Sequence, residues 1–359
     1  MKNLKFAPNV FVVKDNYDIV IVCKCEGKCY ITIDGKQYRE NGSGIFKIHT
    51  PVHKITVPQS VLDEAGEYTV HFHPCSSKKD YWTKMDEAEK ETFKFKALKK
   101  EEGINLYYTA DIHSCYESAE KCCTYFGDDL DILVVNGDYG ESNSREAIEE
   151  LNNFIAKLTL GSIPVIIGRG NHDARGNMSE LITDYISTDD GKTYYTYKMG
   201  PIEGIVLDCG EDKLDGCDEY GGVNYFEQYR RDELDFLKET APFGKDKYRI
   251  AFCHIPFSYK FRDDIFNIDT ELYHDWSKEL DRIGIDCLIC GHMHSYSLCP
   301  GEHEEKFEHK YPLIVASKKS GSILGGSAIT LMKDKIICRF TDEDHNVTRE
   351  ITIDRKELN

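Results

Sequence analysis

Five segments of this chain share one design, and that design limits what the chain can fold into. They are Asn105–His113 (NLYYTADIH), Asp131–Glu141 (DILVVNGDYGE), Pro164–Asp173 (PVIIGRGNHD), Tyr248–His254 (YRIAFCH) and Asp286–His294 (DCLICGHMH). Each is an apolar, β-type run that ends in a residue type able to hold a metal. Near-continuous apolar runs bounded by polar turns predict strands buried on both faces. Parallel strands of this kind bring their ends to one edge of a sheet, where α/β proteins keep their sites. The five ends are therefore expected to converge.

The stretches between them read as helices. Ser114 followed by Glu117 has the form of a capping box, which predicts a helix from there to about Phe126. Ser144–Leu158 places Ile148, Leu151, Ile155 and Leu158 on one helical face. Alternating strand and helix implies a layered α/β architecture. Beyond Asp173, Tyr194–Lys198 and Ile202–Cys209 read as paired strands, and helices are expected over about Phe226–Glu239 and Asp269–Ile283. The tail carries three further β runs, Ser327–Met332, Lys335–Phe340 and Val347–Asp354, and a second sheet packed against the first is expected, with helices outside. The Gly- and Asp-rich loop Glu211–Asn224 either borders the site or is a solvated acidic loop.

Residues 1–97 lack a helical period of useful length. Short β-type runs recur instead at Val10–Val13, Asp18–Cys25, Cys29–Ile33, Gly44–His49, His53–Val57, Gly66–His73 and Thr92–Ala97. That spacing predicts a β-sandwich of immunoglobulin or fibronectin type III style over 1–97. Residues 98–103, charged over Lys99–Gly103, read as a linker, and 104–359 as the second domain. His71 and His73 share a strand face and are read as a surface pair.

At 359 residues and 40% hydrophobic, the chain is long and apolar enough for two cores. Its net charge of −18 argues against a nucleic acid backbone as partner, while leaving room for a small anionic substrate at a local metal cluster. The first apolar run, Asp18–Cys23, is too short to span a bilayer, and no basic segment leads into it. The expectation is a cytoplasmic protein without a membrane partner. The 14 cysteines sit mostly inside apolar runs, as buried free thiols do in a reducing compartment. Cys287 and Cys290, three apart on a strand, face opposite sides.

The candidate ligands are Asp111, His113, Asp138, Asn171, His254, His292 and His294. Mixed nitrogen and oxygen donors suit Zn, Mn or Fe. Seven are too many for one tetrahedral site and enough for two metals, if one carboxylate bridges. Two such ions can clamp the attacking and leaving oxygens of an in-line displacement. The other histidines, His49, His53, His274, His303, His309 and His345, carry no such pattern and are read as ordinary.

In order, Asp111-x-His113, Gly137-Asp138-x-x-Glu141, Gly170-Asn171-His172-Asp173, His254 and Gly291-His292-x-His294 resemble the five motifs of the calcineurin-like metallophosphoesterases. The likeness covers about residues 104–340. It implies a four-layer α/β/β/α domain, and a sandwich ahead of it resembles the layout of purple acid phosphatases. It implies two divalent or trivalent ions, the first on Asp111, His113, Asp138 and His294, the second on Asp138, Asn171, His254 and His292. It further implies a small phosphomonoester or phosphodiester as substrate, attacked in line by a metal-bridging hydroxide. His172 would be the general acid, oriented by Glu141, with Arg169, or failing that Arg175, meeting a phosphate oxygen. Glu141 stands where purple acid phosphatases carry the tyrosine that holds ferric iron, so this chain is expected to be colourless. The alternatives are a catalytically silent scaffold of this fold, or a nuclease. The sequence does not give the oligomeric state.

Overall fold

The computed structural model describes residues 1–40, 43–79, 81–260, 268–302 and 304–355; His303 lies outside them. The chain opens with β1 (Asn9–Val13), β2 (Asn16–Val22), β3 (Gly27–Ile33), β4 (Lys36–Tyr38), β5 (Val52–Pro58), α1 (Gln59–Ala65), β6 (Glu67–Lys78), β7 (Thr83–Met85) and β8 (Glu89–Lys94). It continues with β9 (Ile104–Thr109), α2 (Tyr116–Cys123), β10 (Ile132–Asn136), α3 (Arg145–Thr159), β11 (Pro164–Gly168), α4 (Ile182–Tyr185), β12 (Tyr195–Met199), β13 (Ile202–Leu207) and α5 (Phe226–Glu239). The last third holds β14 (Tyr248–Cys253), α6 (Thr270–Ile283), β15 (Cys287–Cys290), β16 (Ser297–Cys299), β17 (Leu313–Val315), β18 (Lys318–Ser320), β19 (Ile323–Met332), β20 (Lys335–Asp342) and β21 (Val347–Asp354).

An N-terminal β-sandwich precedes a four-layer α/β/β/α part. Two sheets face each other in the latter. One has the strand order β21-β20-β19-β9-β10-β11-β1-β2-β5, with β18 paired to β19; the other runs β12-β13-β14-β15-β17-β16. The period-2 alternation of strands sorts side chains into layers. Ile132, Val134 and Ile166 meet Ile250, Phe252 and Ile289 between the sheets. Leu133, Val135 and Val165 turn outward onto α3 through Leu151, Phe154 and Ile155. Ala251, Leu288 and Cys290 turn outward onto Leu234 of α5 and Trp276 of α6. The helix over Arg145–Thr159 starts as expected, with the Ser144 hydroxyl accepting from Ala147 N–H at 3.2 Å.

The sandwich packs Ile31, Val70 and Phe72 of β3 and β6 against Ile19, Ile21, Ile55 and Val57 of β2 and β5. The second layer of that sandwich joins residues 1–97 to the rest of the chain. β1 pairs in parallel with β11, placing Val10 and Phe11 beside Pro164 and Val165. Lys14 N–H donates to Thr196 O at 2.7 Å, and Lys198 N–H donates to Lys14 O at 2.8 Å. One face of the sandwich is thus the edge of the larger sheet, joined to it by backbone hydrogen bonds. Residues 98–103 carry neither helix nor strand.

Three local expectations also change. Gly44–His49 forms no strand. Gln59–Ala65 is a helix, closed by Gly66 in the left-handed region with its N–H on Leu62 O. The helix after His113 begins at Tyr116 without a side-chain cap, because Ser114 lies at φ 63° with its N–H on Tyr139 O. All 14 cysteines are free thiols. Among the described residues, no helix is long and apolar enough to cross a membrane.

Candidate metal centre

β9, β10 and β11 are parallel in one sheet, and β13, β14 and β15 are parallel in the other. Their C-terminal ends meet, and every expected ligand lies within four residues of one. The donor atoms of Asp111, His113 and His294 lie within 4.8 Å of one another, as do those of Asp138, His254 and His292. A third group, His113, Asp138 and His172, joins the two. These are two clusters of Asp and His side chains fit for a pair of metal ions.

Within them, Asp138 Oδ2 lies 3.1 Å from His254 Nε2 and 3.5 Å from His113 Nε2. Asp111 Oδ1 lies 3.4 Å from His294 Nε2 and 3.8 Å from His254 Nε2. Asn171 Oδ1 is 3.1 Å from His292 Nδ1. His254 Nε2 is buried and faces Asp138, while its Nδ1 sits 2.7 Å from Asn136 O. An imidazole tied at one nitrogen and aimed at carboxylates with the other is oriented as a metal ligand is.

The backbone is bent to this purpose. Asp111, His113, Asp138, His292 and His294 all have positive φ, 59°, 43°, 55°, 68° and 51°. Left-handed non-glycine residues cost of order 1–3 kcal/mol each and gather at functional sites. Asp173 holds the turns together: its carboxylate accepts from the N–H groups of Asp138, Tyr139 and Gly170 at 2.7 to 2.8 Å. Two glycines are sterically required. A Cβ on Gly137 would lie 2.6 Å from His254 Nδ1, and one on Gly170 would lie 2.3 Å from Asp138 Oδ1.

The electrostatics follow from burial and crowding. Burial alone would raise the Asp138 and Asp111 carboxyls, but the surrounding imidazoles win and hold both below the usual range. Burial would lower His254, but Asp138, Asp111 and the Asn136 carbonyl hold it up at about 10. His113 is pulled down to about 4, chiefly by burial, against the pull of Asp138. Burial and the Asp138 charge push Asp173 up to about 8, against its backbone donors.

Two expected roles, those of Glu141 and Arg169, meet a different geometry. Glu141 is exposed and accepts from Asn143 Nδ2 at 3.0 Å; among the described residues no hydrogen bond joins it to His172. His172 instead has Arg175 Nη1 3.4 Å from its Nε2, and its ring stands edge-on to His113 at 4.6 Å. The Arg169 guanidinium is engaged elsewhere, 2.8 Å from Asp208 Oδ2 and 5.7 Å over the rings of Phe226 and Tyr229. Tyr139, two residues from Glu141, buries its hydroxyl on Gly168 O in the helix-facing core. Reading by motif missed Asp173 as the turn clamp and Ser317, which donates to Asp111 Oδ2; the loop from Glu211 does border the site, as one of its two readings had it, through Glu211 and Asp212. The last two follow β13 as the other site residues follow their strands, and Ile202–Asp212 (IEGIVLDCGED) carries that signal.

Comparison with known proteins agrees with this geometry. The sequence profile of the calcineurin-like phosphoesterases matches residues 104–296, more than half of the chain. The structure is similar to purple acid phosphatase PPD1 from yellow lupin (Lupinus luteus) seeds, at 13% identity and TM-score 0.60, covering 98% of this chain and 75% of that one. It is also similar to PhoD, at 9% identity and TM-score 0.51, covering 99% and 90%. Likeness at such identities speaks for the fold alone. No curated protein matches the chain by sequence. The chain belongs to the calcineurin-like phosphoesterase family.

Proposed function

We propose that this chain hydrolyses a small phosphoester using two transition-metal ions, Mn, Fe or Zn. Asp111, His113, Asp138 and His294 would hold the first, and Asp138, Asn171, His254 and His292 the second. The observation that carries this reading is the meeting of two Asp–His clusters at the ends of β9, β10, β14 and β15, linked through Asp138 and His113. When bound, the ions supply an activated water and neutralise charge on the phosphoryl oxygens.

The remaining work falls to side chains. His172 N–H donates to Asp138 Oδ1 at 2.9 Å, so its backbone is fixed by the cluster while its ring faces Arg175. In this reading His172 gives its proton to the leaving oxygen. Burial, and Arg175 beside it, lower its pKa against the pull of the Asp138 charge. Arg175, rather than Arg169, meets the phosphate: Glu211 takes its Nε and Nη2 and leaves Nη1 on the His172 side.

The test is His172→Ala on one alkyl and one aryl phosphoester, with metal content measured on the same samples. Metal content should be unchanged, and kcat/KM should fall by about 10²–10⁴-fold on the alkyl ester, as for loss of a general acid. The aryl ester, whose alcohol departs without a proton, should lose less. Loss of metal, or equal loss on both esters, would remove His172 from the acid's role. With Glu141 in the tyrosine's place and Tyr139 turned away, the iron-loaded chain should show no visible charge-transfer band. A purple preparation would contradict the ligand set.

A further inference from the structure

The loop after β13 brings two adjacent carboxylates to the centre, and each grips a different partner. Glu211 Oε2 accepts from Arg175 Nε at 2.9 Å, Arg175 Nη2 at 2.7 Å and the Tyr220 hydroxyl at 2.7 Å. Asp212 Oδ2 lies 3.3 Å from His292 Nε2, while the other nitrogen of that ring, Nδ1, lies 3.1 Å from Asn171 Oδ1.

We infer that Asp212 is a positioning residue of the metal centre: it accepts the Nε2–H of His292 and so leaves the Nδ1 lone pair facing the oxygen of Asn171. This rests on the function proposed above. A neutral imidazole has one donor and one acceptor nitrogen, and an ionised carboxylate only accepts. Of the two acceptors that flank the ring, Asp212 is the charged one, so with an ion on the Asn171 side the hydrogen belongs on Nε2. The same arrangement recurs on the neighbouring ligand, where the Asn136 carbonyl stands behind His254 Nδ1 and Nε2 is aimed at Asp138. Both imidazoles assigned to the second ion are thus held from behind by an oxygen acceptor, and His292 has the charged one. Such outer partners orient a ligand and raise its basicity.

Asp212 is itself held in place. Its N–H donates to Glu211 Oε1 at 2.9 Å, and Lys213 Nζ lies 3.3 Å from its Oδ1. Arg230, buried, donates from Nη1 to the carbonyls of Cys209 at 3.1 Å and Glu211 at 3.4 Å, anchoring the loop beneath. A carboxylate that is 5% exposed, held by Lys213 on one oxygen and directed at a ligand ring with the other is a specific placement.

Titration of the metal-free full chain with Mn(II) by calorimetry tests this. The wild type should take two ions. Asp212→Asn should keep one affinity and lose about 10–100-fold in the other, the usual cost of an outer partner. Unchanged affinities in a folded variant would overturn the inference, including the case where the variant melts earlier but binds both ions normally. A wild type that takes no Mn(II) would overturn the proposed function as well. If Asp212→Asn fails to fold, Asp212→Ser replaces it. Independently, ¹⁵N spectra of the wild type loaded with diamagnetic Zn(II) should show His292 carrying its hydrogen on Nε2; a hydrogen on Nδ1 would overturn the assignment.

Discussion

Asp138→Asn is expected to remove bound metal and phosphoesterase activity together, for every substrate. Asn keeps the size of the side chain and tolerates the left-handed backbone found at φ 55°, so the loss would report charge rather than strain. Asp138 is the residue the two halves of the centre share. Its Oδ2 faces His254 and His113, and its Oδ1 takes the N–H of His172. Without its charge, neither ion retains a full donor set. Affinity should fall by more than the roughly 10–100-fold that outer partners cost. The checks are metal content and kcat/KM on aryl and alkyl esters. This separates Asp138 from His172, whose loss should spare the metal. An Asp138→Asn protein holding two ions and turning over an aryl ester would break the assignment of Asp138 as the bridge.

Deleting residues 1–97 is expected to abolish folding of the remainder. The deletion strips β1 from β11 and leaves a fully buried, apolar strand as a bare edge, a template for aggregation. It also removes Val10, Phe11, Val12, Ile19, Val20, Ile21 and Val22, each 0% exposed. Val10, Val12, Ile19 and Ile21 belong to the inter-sheet core, and Phe11, Val20 and Val22 to the helix-facing core. At roughly 1.5–3 kcal/mol per buried apolar side chain, uncovering their partners approaches or exceeds the whole stability of a domain, about 5–15 kcal/mol. A chain beginning at Leu98 should therefore be insoluble or lack a cooperative melt. A soluble monomer with a sharp transition would show that residues 1–97 are separable after all.

That pairing had a trace in the sequence. β3 and β6 alternate buried and partly exposed positions, as sandwich strands with one wet face do. β1 and β2 are nearly continuous apolar runs, the pattern of strands covered on both faces. Periodicity can say that β1 is buried twice, but not by what: a parallel neighbour about 150 residues away leaves no local mark. Gly44–His49 fails in the opposite way, since β-type composition without pairing partners makes no strand.

The ligand positions were legible because they are local. A strand followed by a tight turn delivers the next few residues to the sheet edge, so Asp111, Asp138, Asn171, His254 and His292 could each be read from their own segment. The roles around them could not. Arg169 and Arg175 look alike in sequence, and their fates are set by Asp208 and Glu211, acidic residues 36 or more positions away that reach them only across the fold. Glu141 stands at the expected place in its motif, but its carboxylate turns to Asn143. The sequence by itself determined the fold family, the strand ends and which side chains converge there. The tertiary structure alone decided which cation is left facing His172, what stands behind His292, and that the first strand is part of the sheet that carries Asp111 and Asp138, because charge pairing and strand order arise between segments and not within them.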